Sequence, residues 1–122
     1  QAAPDSSAAA WHRTPSGLVY RIVATGTGDV AMQGDRVTIH ETLSLPDGRL
    51  IFSSRAKDKP VTFTLGANQV IAGVDEAVRG MRVGERRAVL VPPALDGRTF
   101  DPAFIPPDAI RHYDIELVAI GR

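Results

Sequence analysis

Cysteine is absent from this 122-residue sequence, which excludes disulfides, thiolate metal sites and cysteine nucleophiles together. Net charge is lacking too, because 14 basic and 14 acidic residues cancel, so nothing indicates nucleic acid as a partner. The longest apolar runs are about five residues, whereas a membrane span needs about 20. We therefore expect one globular domain without a membrane span.

The common catalytic signatures are also missing. The sequence contains no G-x-S-x-G elbow, no H-E-x-x-H motif and no G-x-x-x-x-G-K-[ST] phosphate loop. Its three histidines, His12, His40 and His112, are far apart, and we interpret them as surface or hydrogen-bonded side chains rather than metal ligands. Any reaction here is expected to need no acid, base, nucleophile, metal or cofactor.

The only local charge bias is a cluster of four arginines, which we interpret as a solvated face rather than a phosphate-binding surface. They are Arg79, Arg82, Arg86 and Arg87.

The start of the chain is small, polar and contains proline, reading QAAPDSSAAA over residues 1–10. We expect residues 1–13 to be a disordered leader and residues 14–122 to form the domain, with Trp11 docking on that domain. A mature N-terminus left after removal of a secretory signal has this composition, so we expect a periplasmic or otherwise exported protein. A chain shortened at its N-terminus for a reason other than export would have the same composition.

Alternating apolar and polar residues predict the strands, as in Val37, Ile39 and Leu43 or in Tyr113, Ile115, Leu117 and Ala119. Pro46-Asp47-Gly48 is typical of a tight turn between two of them. The predicted strands are residues 18–25, 36–45, 49–53, 61–65, 86–91 and 112–120. Between the last two lies a long proline-rich loop, in which we interpret Asp96, Asp101 and Asp108 as turn-forming and solubilising residues rather than as an acid–base pair.

One segment has helical spacing, with apolar residues at positions 70, 71, 74, 77, 78 and 81. Asp75 and Glu76 suit its N-terminus, Arg79 its C-terminus, and Gly80 can end it. So short a helix is stable only when its apolar face is buried, and a twisted sheet supplies the surface. The sequence therefore predicts an α+β fold: a five- to six-stranded antiparallel half-barrel wrapped on one short helix.

Seven short segments form an ordered series over residues 14–120. They are TPSGLVY (14–20), DG with FSSR (47–48 and 52–55), FTLG (63–66), VIAGVDEAV (70–78), MRVGER (81–86), IPP (105–107) and YDIEL (113–117). In this order they resemble the motifs of FKBP-type peptidyl-prolyl cis-trans isomerases of the bacterial type. The resemblance implies the half-barrel fold and an apolar pocket that binds proline.

The resemblance also implies five site residues. In the family the Val-Ile pair opens the helix and the Ile backbone N–H bonds a ligand carbonyl, which implies Val70 and Ile71. The aromatic residue of the last strand implies Tyr113, the residue before Pro-Pro implies Ile105, and the F-x-L-G motif implies Phe63 near the pocket base. The same five residues are also typical of a plain hydrophobic core.

Several pocket residues of the family are replaced in this sequence. Val74 occupies the position of a tryptophan that forms the floor of the pocket in the family. Glu41 occupies the position of a tyrosine on a strand, and Ile51-Phe52 replaces a Phe-Asp pair. Leu95-Asp96-Gly97 occupies the region of the tyrosine that caps the pocket. Phe52, Phe100 and Phe104 are available as substitute walls.

Two functions follow from this resemblance. The first is a weak prolyl isomerase or folding helper that acts on Xaa-Pro bonds of proline-containing polypeptides. The second is an inactive chaperone or protein-binding module with the same fold. The replacements at Val74 and Glu41 favour the second function, and the intact Val70, Ile71 and Tyr113 favour the first.

Overall fold

The computed structural model describes residues 10–96 and 108–121, which form one antiparallel sheet with a helix packed on it. The sheet order is β1-β2-β6-β7-β3-β4, and β5 also pairs with β3. The strands are β1 (His12–Arg13), β2 (Val19–Ala24), β3 (Arg36–Ser44), β4 (Leu50–Ser53), β5 (Val61–Thr64), β6 (Arg86–Val91) and β7 (Arg111–Gly121). Helix α1 (Ala72–Val78) lies between β5 and β6 in the chain, and a 3₁₀ turn (Pro93–Leu95) follows β6. The predicted α+β class is confirmed, with seven strands rather than five or six.

The additional strand is β1, which lies in the segment predicted as leader. His12 pairs with Tyr20 of β2, and the two ring centroids are 5.2 Å apart. The guanidinium of Arg21 lies 5.1 Å from the ring centroid of Trp11, which is 46% exposed. The sheet therefore begins two residues before the predicted boundary at Thr14, because these aromatic contacts extend its edge. The rest of the predicted leader, residues 1–9, lies outside the described residues.

Strand β7 changes phase near its end. Tyr113, Ile115 and Leu117 are buried as predicted, but Ala119 is exposed. The register shifts here, since Leu117 pairs with Ile39 and Ala119 with Thr38. This bulge moves the next residue, Ile120, onto the core. The prediction that Ala119 continues the inner face is therefore wrong.

Helix α1 is shorter than the apolar spacing predicted, and both of its ends have a backbone cause. Ile71 is extended (ψ 152°) and serves as the N-cap, while Arg79 is extended (ψ 129°) at the other end. Gly80 follows with φ +83°, a left-handed conformation that glycine adopts without steric cost. The predicted stop at Gly80 is therefore correct to within one residue.

Close packing holds α1 against the sheet. Val74, Ala77 and Val78 are buried, each at most 2% exposed. A Cβ atom at Gly73 would lie 2.6 Å from Cγ1 of Val91, so the absence of a side chain lets the helix approach β6. This approach places the start of α1 over the sheet.

The four arginines expected on a solvated face have different environments. Arg87 is buried with Glu85, donates a hydrogen bond of 3.2 Å to the carbonyl of Ala77, and lies 4.5 Å from the ring centroid of Tyr20. The prediction is wrong for Arg87, because the end of α1 supplies a buried acceptor that the charge pattern does not reveal. The other three are more exposed, and the hydrogen bond from Arg86 to Asp114 (2.7 Å) raises the pKa of Arg86 above its usual value.

Along one edge, β3 pairs first with β5 and then with β4. Ser54 lies where the pairing changes from one partner strand to the other. Its hydroxyl, fully buried, accepts a hydrogen bond of 2.8 Å from the backbone N–H of Glu41. The N–H of Ser54 in turn donates to the carbonyl of Glu41 at 3.0 Å. The backbone of Glu41 is therefore held where the two partner strands meet.

Candidate functional site

A cavity of about 440 Å³ lies where the start of α1 meets the sheet. Its volume falls within the roughly 300–1,000 Å³ of small-ligand pockets. The described side chains that line it are Glu41, Asn68, Gln69, Val70, Ile71, Val74, Asp96 and Tyr113. The lining is thus mixed: apolar side chains come from the start of α1, and polar or charged ones come from the loop before it, from β3 and from the end of the 3₁₀ turn.

The apolar wall comes from the chain that enters α1. Val70 and Ile71 are half-buried, and Val74 is 2% exposed. The carbonyl of Ile71 accepts hydrogen bonds of 3.1 Å from the N–H groups of Val74 and Asp75. Among residues 10–96 and 108–121, no hydrogen bond uses the N–H of Ile71 as donor. This N–H is therefore available to a ligand carbonyl beside an apolar wall.

The sheet contributes Tyr113 and Glu41. Tyr113, in β7, pairs with Leu43 on one side and Val89 on the other and is 4% exposed. Among the described lining residues it is the one aromatic side chain. Glu41 is half-buried, and its backbone is held by Ser54. The sheet thus places one ring and one carboxylate in the cavity wall.

A buried ion pair forms a further part of the wall. The guanidinium of Arg111, at the start of β7, donates a hydrogen bond of 2.9 Å to Asp96, which follows the 3₁₀ turn. Their side chains are 4% and 0% exposed. Arg111 also donates to the carbonyl of Ala109. The interpretation of Asp96 as a solubilising loop residue is therefore wrong, because a guanidinium 15 residues later compensates the burial of its charge.

The loop between β5 and α1 is fastened at both ends. Asp75 accepts hydrogen bonds from the N–H of Gly66 (2.8 Å) and from Arg79 (2.9 Å). The side-chain carbonyl of Gln69 accepts one from the N–H of Thr64 at 2.8 Å. Asn68 has φ +59°, a conformation that asparagine tolerates better than most residues. These bonds position the loop that lines the cavity.

The structure brings together three of the five site residues implied by the sequence: Val70, Ile71 and Tyr113. Phe63 does not line the cavity but lies in the core, 1% exposed, and Ile105 lies outside the described residues. Of the substitute walls, Phe52 packs against the core and is not among the described lining residues. Phe100 and Phe104 lie outside the described residues.

Asn68 and Gln69 line the cavity without having been predicted to do so, and Asp96, which the resemblance places in the region of the capping tyrosine, was not predicted to form a buried ion pair. For the first two the available signal was their place directly before the Val-Ile pair. For Asp96 it was an arginine, Arg111, at the start of the last predicted strand. Neither signal specifies a cavity, because each depends on contacts between distant segments.

The described residues lack two other kinds of feature, a metal-binding cluster and a membrane-spanning helix. Within this part of the chain, no cluster of three or more His, Asp or Glu side chains is arranged to hold a metal ion. No helix in the same ranges has the length and hydropathy needed to cross a membrane.

Comparison with known sequences identifies one family. The pattern of FKBP-type peptidyl-prolyl cis-trans isomerases matches residues 28–118. FK506-binding protein 2 of Candida glabrata is 43% identical over 75% of this chain and 69% of the relative. Peptidyl-prolyl cis-trans isomerase FPR2 of Saccharomyces cerevisiae is 40% identical over 85% of this chain and 78% of the relative. The residues matched by the family pattern, 28–118, include all the described residues that line the cavity.

Solved structures are similar as well. The crystal structure of AtFKBP13 matches with a TM-score of 0.81 and 28% identity, covering 92% of this chain and 99% of the other. That of FkpA from Escherichia coli matches with a TM-score of 0.77 and 29% identity, covering 90% of this chain and 51% of the other.

Proposed function

The chain belongs to the family of FKBP-type peptidyl-prolyl cis-trans isomerases, and we propose that it catalyses rotation about Xaa-Pro bonds in the cavity between α1 and the sheet. The main support for this proposal is the cavity itself. The described side chains leave about 440 Å³ beside Val70, Ile71 and Tyr113. A proline ring is apolar and compact, so it suits this wall.

The reaction needs little chemistry from the protein. The barrier of about 18–20 kcal/mol comes mainly from the partial double bond between carbonyl carbon and nitrogen. When the bond twists, the carbonyl oxygen loses negative charge, so an apolar cavity favours the twisted state over the planar one. The N–H of Ile71 orients the substrate by bonding a carbonyl. This mechanism involves no nucleophile, metal or proton transfer.

The composition of the wall supports a weak rather than an efficient isomerase. Val74 lies at the position that the sequence resemblance assigns to a tryptophan, and Glu41 lies at that of a tyrosine. The smaller and more polar wall buries less of the proline ring and is therefore expected to bind it less tightly. The bacterial subtype also stays a prediction, since the two sequence relatives described above are fungal and FkpA is bacterial.

The clients in this proposal are proline-containing polypeptides, bound without metal or nucleic acid. The export expected from the first residues stays a prediction. A holdase or protein-binding module that uses the same cavity without turnover is the alternative.

A protease-coupled assay with acetyl-Ala-Leu-Pro-Phe-p-nitroanilide tests the proposal. Chymotrypsin cleaves only the trans peptide, so the slow phase reports isomerisation. We expect this phase to become faster in proportion to protein concentration. A slow phase equal to the spontaneous one at every concentration overturns the proposal. In that case, suppression of the aggregation of an unfolded client identifies the non-catalytic module.

A further inference from the structure

A second hollow lies beside the cavity. This groove, of about 410 Å³, lies between the turn that follows β3 and the segment that leads into β7. Its described lining residues are Leu45, Pro46, Asp47, Arg49, Asp108, Ala109 and Ile110. None of these described residues also lines the proline cavity. The groove is thus a separate hollow that the proposed isomerisation does not use.

The groove offers mainly apolar surface, since four of its seven described lining residues are apolar. Leu45 is 3% exposed and Ile110 is 43% exposed. The charge of Asp47 is compensated within the turn, because its carboxylate lies 4.0 Å from the guanidinium of Arg49 and accepts a hydrogen bond of 2.9 Å from the N–H of the same residue. An apolar side chain that enters the groove therefore removes apolar surface from water.

One buried side chain joins the groove to the cavity. The guanidinium of Arg111 donates hydrogen bonds to the carboxylate of Asp96, which lines the cavity, and to the carbonyl of Ala109, which lines the groove. Strand β3 runs past both hollows, since Glu41 lines the cavity and Leu45, directly after the strand, lines the groove. A polypeptide bound in the cavity can therefore continue into the groove.

The same strand sets the spacing between the two hollows. Leu43 pairs with Tyr113 of the cavity wall, and Leu45 lies two residues further along the chain. Glu41 lies four residues before Leu45. At about 3.3 Å per residue of extended chain, the groove lies about 7–13 Å from the cavity wall. An extended client covers this distance in about two to four residues.

We propose that the groove is a second subsite for the same client, and that it binds a large apolar side chain about two to four residues from the proline. The inference rests on the proposed function and narrows its substrate class to polypeptides with an isoleucine, leucine or valine at this spacing. Partial burial of such a side chain corresponds to about fivefold to tenfold in kcat/KM. The continuity of the groove with the cavity is what assigns it to the client.

The test uses acetyl-Ser-Ala-Leu-Pro-Ala-Ala-Ser-amide and two related peptides, in which isoleucine replaces the first or the last serine. Both isoleucines lie three residues from the proline, one on each side, so both chain directions are covered. NMR exchange spectroscopy measures kcat/KM for the Leu-Pro bond without a protease. We expect one isoleucine peptide to exceed the serine peptide by about fivefold to tenfold and to shift the amide resonance of Ile110.

Two variants test whether the groove causes this preference. Ile110→Ser removes the exposed apolar side chain of the groove and is expected to bring the isoleucine/serine ratio close to one. Val118→Ser removes an aliphatic side chain of similar exposure, 41%, that is not among the described groove residues, and is expected to keep the ratio. Equal kcat/KM for all three peptides, or a ratio that persists in Ile110→Ser, overturns the subsite alone.

A failure of the isomerase proposal has a different result. If none of the peptides is turned over, that proposal fails, and dissociation constants from NMR titration take the place of kcat/KM. Tighter binding of an isoleucine peptide, lost in Ile110→Ser, then supports the subsite in a non-catalytic module, whereas equal binding overturns it. Shifts at Ile110 that depend on protein concentration in the absence of peptide identify a second copy of the chain as the occupant and also overturn it.

Discussion

Arg87 of β6 donates a hydrogen bond of 3.2 Å to the backbone carbonyl of Ala77, in the last turn of α1. That carbonyl is one of the helix-end acceptors that lack an intrahelical partner. The same guanidinium pairs with Glu85 and covers the ring of Tyr20. One side chain therefore joins β2, β6 and the helix.

Arg87→Lys is expected to reduce the free energy of unfolding by about 1.5–3 kcal/mol. A lysine keeps the charge but cannot bond the carbonyl and the carboxylate in the same planar geometry. Urea unfolding followed by circular dichroism measures the change. The matched variant Arg86→Lys, on the exposed neighbour, is expected to change the stability by less than about 1 kcal/mol. Equal losses in the two variants would contradict the role of Arg87.

The ion pair in the cavity wall gives a second prediction. Arg111→Met leaves the carboxylate of Asp96 buried without its guanidinium, and we expect a loss of about 3–5 kcal/mol in the free energy of unfolding. In the double variant Asp96→Leu/Arg111→Met no charge is buried there, so most of this loss is expected to return. A double variant as unstable as Arg111→Met would show that the charge is not the cause.

The close approach of α1 to β6 is tested at Gly73. Alanine favours a helix over glycine by about 1 kcal/mol. The added Cβ would lie 2.6 Å from Val91, however, and such overpacking costs about 1–3 kcal/mol. We therefore expect Gly73→Ala to be destabilising in urea unfolding. Combined with Val91→Ala it should cost less than the sum of the two single changes, and strict additivity would contradict the contact.

The binding wall is tested at Ile71. Ile71→Asp introduces a charge where the proline ring is expected to lie, and we expect kcat/KM in the protease-coupled assay to fall by about a hundredfold. Ile71→Val keeps the wall apolar and is expected to stay within about fivefold of the parent. Thermal melting of both variants checks that the fold persists. Unchanged turnover in Ile71→Asp removes this residue from the site.

Local patterns predicted most of the fold because strands and helix are encoded in short ranges. Strand β6 was predicted with the observed bounds, Arg86–Val91. The errors arise where the local structure depends on contacts with a segment that is distant in the sequence. The exposed Ala119 depends on a register shift against β3, and β1 depends on the contacts of His12 with Tyr20. Neither partner can be inferred from alternation alone.

The site was predicted in part for the same reason. Ile71 and Tyr113 could be identified because short motifs surround them. The resemblance placed Asp96 in the region of the pocket cap, but its buried ion pair could not be predicted, since Arg111 reaches it from the other end of a loop. Phe63 belongs to a recognisable motif, but the motif does not show whether the ring faces the cavity or the core.

The two edge strands of the sheet affect how the protein behaves at high concentration. The outermost strands are only two residues long at β1 and four residues long at β4. Short terminal strands offer few main-chain donors and acceptors for a second copy to pair with. Concentrated solutions should therefore stay free of ordered fibrils while the native state persists.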